Sequence, residues 1–113
     1  AILLIAELIL TYLLVFVILN VATHPNLDGN SFYGFAIGLT VMAGAFCVGP
    51  LSGGVFNPAV SIGPSLVDII TGNGISQHFV WYYLTAPMAG SVLAVIHFNY
   101  LLKKWKIYLQ LLQ

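Results

Sequence analysis

Three features of the sequence predict an all-α membrane protein with three transmembrane helices and one re-entrant half-helix. First, 60% of the 113 residues are hydrophobic and only 5% charged, with a mean hydropathy of +1.01. Soluble domains carry about a quarter charged residues, so a water-facing surface cannot be built from this composition. Second, the apolar residues fall into runs close to the roughly 20 residues that a helix needs to cross a bilayer. Third, one apolar stretch is interrupted by prolines and glycines and is unsuited to a full span.

The first predicted span covers residues 1–21, apolar apart from Glu7, Thr11, Tyr12 and Asn20. A polar turn follows from His24 to Asn30, rich in residues that stop helices. Residues 32–49 form the second span, with Gly34, Ala36, Gly38, Ala43, Gly44 and Ala45 inside it. Small residues let helices approach closely in lipid, so this span is expected among others. Residues 50–70 carry Pro50, Gly53, Gly54, Pro58, Gly63 and Pro64. Irregular backbone at membrane depth is tolerated only where it lines a cavity, so this stretch reads as a re-entrant loop. Asn57 is a good N-cap and Pro58 suits a first helical position, which predicts a half-helix from Pro58 to about Ile69.

A polar loop spans Thr71 to Gln77, and the last span covers residues 79–102. Trp81, Tyr82 and Tyr83 mark one interface; Tyr100, Trp105 and Tyr108 mark the other. Lys103, Lys104 and Lys106 are the only cationic side chains apart from histidine, which predicts a cytoplasmic C-terminus. Three spans then put the N-terminus and the Asn57 loop on the outer side. The chain opens inside a span, without an initiator Met or a basic leader, which predicts a fragment of a six-span protein. The formal net charge of zero gives no reason to expect nucleic acid. Cys47 is single, so neither an internal disulfide nor a thiolate metal cluster can form, and inert packing is expected.

The segment around Asn57 carries the functional expectation. Asn57-Pro58-Ala59 places a side-chain amide at the positive end of a half-helix, where the first N–H groups lack acceptors. Such a site donates hydrogen bonds to a passing oxygen and repels cations. Gly53, Gly54, Val55 and Phe56, extended before it, would present a ladder of carbonyl acceptors. Donors at the centre and acceptors along one wall suit a neutral, hydrogen-bonding solute. No cofactor, metal or catalytic group is called for. An intramembrane enzyme with Ser52 as nucleophile is the weaker alternative, because no histidine is placed in sequence to serve it.

The run from Ser52 to Leu66, Ser-Gly-Gly-Val-Phe-Asn-Pro-Ala-Val-Ser-Ile-Gly-Pro-Ser-Leu, resembles the second Asn-Pro-Ala loop of the major intrinsic protein (aquaporin) family. Ala6-Glu7-Leu8 with Tyr12 to Phe16 is similar to that family's fourth helix, Gly34 to Leu39 to its fifth, and Ala86 to Gly90 to its sixth. The matches run in family order over nearly the whole chain. The resemblance implies one inverted repeat of the aquaporin fold, the C-terminal half of a passive channel for water or small neutral solutes such as glycerol, urea and ammonia. It implies a missing N-terminal half and a homotetramer as partners; a non-conducting half-channel or assembly element is the alternative. Asn57 becomes a pore-centre asparagine, and Glu7 a buried brace of the re-entrant loop. An ionisable residue inside a span needs a partner on physical grounds as well. Ala45, Gly54 and Val60 fall on three positions of the family's narrow filter. Val60 stands where the family usually has arginine, as in some tonoplast intrinsic proteins. Small and apolar residues there imply a wide, weakly polar constriction.

The remaining polar residues carry plainer expectations. His24 and His78 are expected to be solvated in or beside loops, and His97 to bond a neighbouring helix or the headgroup zone. Asp68, near the end of the half-helix, is expected to be hydrated. Ala86, Gly90 and Ala94 form a small-xxx-small face suited to packing.

Overall fold

The computed structural model describes residues 1–72 and 80–112. Four α-helices run in the order α1 (Ile2–Ile18), α2 (Tyr33–Ser52), α3 (Pro58–Thr71) and α4 (Val80–Leu111). Three helical segments are long and apolar enough to cross a membrane: Ile2–Thr23, Tyr33–Ser52 and Val80–Leu111. His78 and part of the loop predicted before the last span lie outside the described residues.

α1 ends in a π-helical turn, Leu19–Thr23, where polar side chains add hydrogen bonds to the carbonyls of the last turn. Asn20 Nδ2 donates to the Phe16 carbonyl at 2.7 Å, and Thr23 Oγ1 to that of Leu19 at 2.6 Å. His24 is not simply solvated: its Nδ1 accepts from the Asn26 amide at 3.2 Å, and its ring packs edge-on against Phe98. Asn30 Nδ2 then ties the turn back to the Val21 and Leu27 carbonyls, each at 2.6 Å.

Two helices outrun the sequence reading. α2 passes through Pro50 and stops at Ser52 rather than Gly49. Pro50 falls in the last turn, where the helix has few residues left to disrupt, and Gly53, left-handed at φ 82°, closes the end with its N–H on the Gly49 carbonyl. α4 continues beyond residue 102 through all three lysines, since lysine, leucine and glutamine are good helix formers and nothing there stops the helix. Its 32 residues make it about 48 Å long, against a hydrocarbon core of about 30 Å.

α1 is the centre of the bundle, with α4 on one side, α2 on the other, and α3 returning against α4. α1 and α4 run in parallel, Gly90 meeting Leu8 and Tyr12, and His97 meeting Tyr12 and Phe16. The crossing is close at Gly90, where an added Cβ would run into the Leu8 carbonyl oxygen and lie 3.0 Å from the Tyr12 nitrogen. Ala86 and Ala94, one turn to either side, are buried there as well. The Tyr12 hydroxyl and His97 Nδ1 share a hydrogen bond across the same seam, as expected for a histidine inside a span. Buried positions are mostly small or polar (Glu7, Thr11, Ser52, Ser61, Ser65), while large apolar side chains such as Phe35, Phe46 and Ile96 point outward. That is the inverse of a soluble core and suits a hydrocarbon surround. Cys47 belongs to the outward set, exposed on α2 rather than packed inside.

Candidate functional site

The turn between α2 and α3 folds back into the bundle. Its depth can be read from its neighbours. The Phe56 ring sits on Gly44 and Leu10, and Gly54 sits against Ala45. From Gly44 to the α2 end at Ser52 is eight residues, so the turn descends about 12 Å along α2. Asn57 then lines a groove of about 460 Å³ with Thr11, Leu14 and Val15, which lie near the middle of the first span.

Glu7 holds this turn. Its carboxylate is fully buried and accepts three bonds. Ser52 Oγ donates to Oε1 at 2.6 Å, the Val55 amide to Oε1 at 3.1 Å, and the Phe56 amide to Oε2 at 2.7 Å. Ser52 Oγ in turn accepts from the Gly54 amide at 3.2 Å, and the Tyr83 hydroxyl donates to the Ser52 carbonyl. Two of the three bonds, those from Ser52 and Phe56, are buried, where a donor without an acceptor is costly. The network fixes a backbone that is otherwise unfavourable. Gly53 and Gly54 have φ of 82° and 62°, and Phe56 has φ of 51°, so the segment is not the extended one expected from sequence; at Phe56 this left-handed conformation costs a bulky residue about 1–2 kcal/mol. The Phe56 amide bond and the burial of its ring offset that cost. Gly44 makes room for the ring, since a Cβ there would lie 3.1 Å from it.

Asn57 caps α3 with its side chain, Oδ1 accepting from the Ala59 amide at 2.9 Å. With Oδ1 committed to the helix, the other end of the side-chain amide is a donor by elimination. Among the described residues Nδ2 has no partner in the chain, and Asn57 lines the groove. The carbonyls of Gly53, Gly54, Val55 and Phe56 likewise accept no bond from the described residues. Gly54, Val55 and Phe56 line the groove with Asn57; Gly53 lines the neighbouring cavity beside Ser61 and Tyr83.

The sequence profile of the major intrinsic protein family matches residues 2–98. The chain belongs to that family. Proteins named as aquaporins and a nodulin are among its relatives. NIP4-1 of Arabidopsis thaliana, named as an aquaporin, is 42% identical over 79% of this chain and 29% of its own length. Aquaporin NIP1-4 of Oryza sativa subsp. japonica is 40% identical over 78% of the chain and 30% of its length. Nodulin-26 of Glycine max is 38% identical over 82% of the chain and 32% of its length. The chain thus spans about a third of the curated relatives it matches. No solved structure matches it. Family membership and three apolar spans make this an integral, multi-pass membrane protein.

Within this major intrinsic protein, the three residues that the resemblance assigns to the filter are only partly gathered. Gly54 and Val60 line the same groove, with the Val60 side chain 54% exposed. Ala45 touches Gly54 from α2 but does not line that groove. Asp68 lies in the last turn of α3, its carboxylate beside Gly72. Three residues take roles here that the sequence reading did not give them. Ser52 is the hinge of the Glu7 network rather than a nucleophile, and a serine before two glycines is a turn-former that could have signalled it. Tyr83 is read from sequence as an interfacial aromatic only. Phe56 in a left-handed conformation has no sequence signal. Thr11 Oγ1 is buried without a partner among the described residues, and nothing in the structure explains it.

Proposed function

We propose that this chain forms one half of the wall of a passive channel for water and small neutral solutes. The observation that carries the reading is the pairing of a free donor, Asn57 Nδ2, with the unbonded carbonyls of Gly54, Val55 and Phe56 along one groove at mid-span. A donor facing a row of acceptors replaces the hydrogen bonds a neutral solute leaves behind in water. The positive end of α3 at the same point opposes cations. The relatives' names, aquaporin NIP1-4 among them, agree with this chemistry. On this reading a facing half, with its own half-helix, closes the passage, and the assembled units form a homotetramer. The three C-terminal lysines put that end in the cytoplasm. Gly54 and Val60, which line the groove, would border a constriction wide enough for glycerol, urea or ammonia, with Ala45 backing Gly54 from α2.

Substitution at Asn57 separates the two roles of its side chain. Asn57→Asp keeps an oxygen on the Ala59 amide but replaces the Nδ2 donor with an acceptor. Thermal stability is expected to stay within about 0.5 kcal/mol, since Asn and Asp are equivalent caps, while osmotic water permeability in proteoliposomes falls. Unchanged permeability in the assembled protein would rule out Asn57 as a solute contact. Val60→Arg tests the constriction. It adds bulk and a fixed charge, so glycerol flux is expected to fall roughly tenfold, about 1.4 kcal/mol of added barrier, with water flux reduced far less. An equal loss of both fluxes would place Val60 away from the narrow part.

A further inference from the structure

The C-terminal ends of α1 and α4 enclose a second cavity, of about 520 Å³, which the passage does not use. Its floor is apolar, made by Phe98, Leu101 and Leu102; His24 and Lys104 stand among its walls, and no acidic side chain among the described residues lines it. Trp105 and Tyr108, stacked with ring centroids 5.9 Å apart, complete the wall on the α4 extension. The depth of this cavity follows from the helix. Trp81 and Trp105 are 24 residues apart on α4, about 36 Å, which brackets a hydrocarbon core of about 30 Å. Lys104 and Trp105 therefore stand at the level of the headgroups, with Phe98 and Leu101 one to two turns deeper, among acyl chains.

Of the four polar side chains in its lining, Asn20 is tied by Nδ2 to the Phe16 carbonyl and Tyr108 carries a neutral hydroxyl, while Lys104 and His24 are donors. Lys104 carries an ammonium. His24 Nδ1 accepts from the Asn26 amide, so a neutral ring carries its hydrogen on Nε2 and offers it as a donor. A cationic and donor-rich rim above an apolar floor complements an anionic head on an apolar tail, not a free ion. We propose that this cavity holds one anionic phospholipid, its phosphate taken by the Lys104 ammonium and the His24 Nε2–H and its acyl chain lying along Phe98 and Leu101. The inference rests on the membrane placement alone and is independent of which solute the passage carries.

Trp105 reports on the occupant. In a Trp81→Phe background it is the single tryptophan of the chain, and vesicles containing dibrominated phosphatidylserine or dibrominated phosphatidylcholine quench it on contact. Phosphatidylserine is expected to reach half-maximal quenching at about fivefold lower mole fraction, the preference one lysine gives at a lipid surface. Lys104→Ala is expected to bring the two lipids to parity, and Lys104→Glu to reverse their order. Lys106→Ala, on the same helix but outside the cavity, is expected to keep most of the preference. Parity in the unsubstituted chain would overturn the proposal. Equal loss in Lys104→Ala and Lys106→Ala would also overturn it, because a diffuse basic field responds that way. Removal of the preference by soluble glycerophosphoserine at millimolar concentration would reassign the cavity to a free phosphate ester.

Discussion

Replacing Glu7 with alanine is expected to unfold the α2–α3 turn and abolish permeation together. The carboxylate is the shared acceptor for Ser52 Oγ and the Val55 and Phe56 amides, all within 3.1 Å of it. Alanine leaves three donors without their acceptor, at about 1–3 kcal/mol for each that stays buried. The left-handed backbone at Phe56 adds to the loss, since the amide bond to Oε2 is what holds it. Glu7→Gln is the informative companion. Its oxygen can keep the Ser52 and Val55 bonds, but its NH₂ then opposes the Phe56 N–H, donor to donor. It should be intermediate, about 2 kcal/mol less stable than the parent, with Phe56 the first residue to lose order. Thermal unfolding in detergent, with hydrogen exchange at the Val55 and Phe56 amides, would measure both. Parent-like stability and exchange in Glu7→Ala would show that the turn is held by something else.

How much of this was legible in the sequence depends on the kind of signal. The spans and the start of α3 were, because they rest on local chemistry: a capping side chain, a proline that needs no N–H, a run of apolar residues. Glu7 was legible as a residue in need of a partner, since a charge inside a span is expensive wherever it lands. The resemblance named the re-entrant loop as its partner, but the residues alone did not, because the contact depends on how far the chain folds back, where Gly44 leaves room for the Phe56 ring. The same holds at Ser52, whose role as a hinge between Glu7 and the Gly54 amide exists only once α1 lies beside the turn. Helix ends were misread where composition and geometry conflict. Pro50 looks like a stop but falls in a turn that tolerates it, and the lysines look like a boundary of the bilayer, which they mark, but not of the helix. Cys47 and His24 were misjudged for one reason: exposure in a membrane protein follows the bundle's outside, not the polarity of the residue.

The crossing of α1 and α4 is where one methyl group should do most damage. Gly90→Ala would place a Cβ against the Leu8 carbonyl oxygen, 3.0 Å from the Tyr12 nitrogen and 3.2 Å from the Leu8 carbonyl carbon. All three are backbone atoms, so no side chain can rotate away, and the helices must separate. Overpacking of this kind costs about 1–3 kcal/mol where the neighbours can shift; two rigid helices in contact put this case at the upper end. The consequence reaches the site because the two helices carry opposite ends of one clamp. α1 supplies Glu7 to the Val55 and Phe56 amides, and α4 supplies Tyr83 to the Ser52 carbonyl. Moving α1 away from α4 stretches both holds on the same turn, so permeability is expected to fall along with the thermal midpoint. Gly38→Ala is the control, since an added Cβ there meets nothing within 4 Å and its helix loses only a flexible residue. It should be neutral or slightly stabilising. If Gly90→Ala matched Gly38→Ala in both thermal midpoint and water flux, the α1–α4 seam would have to be looser than the backbone contact at Gly90 allows.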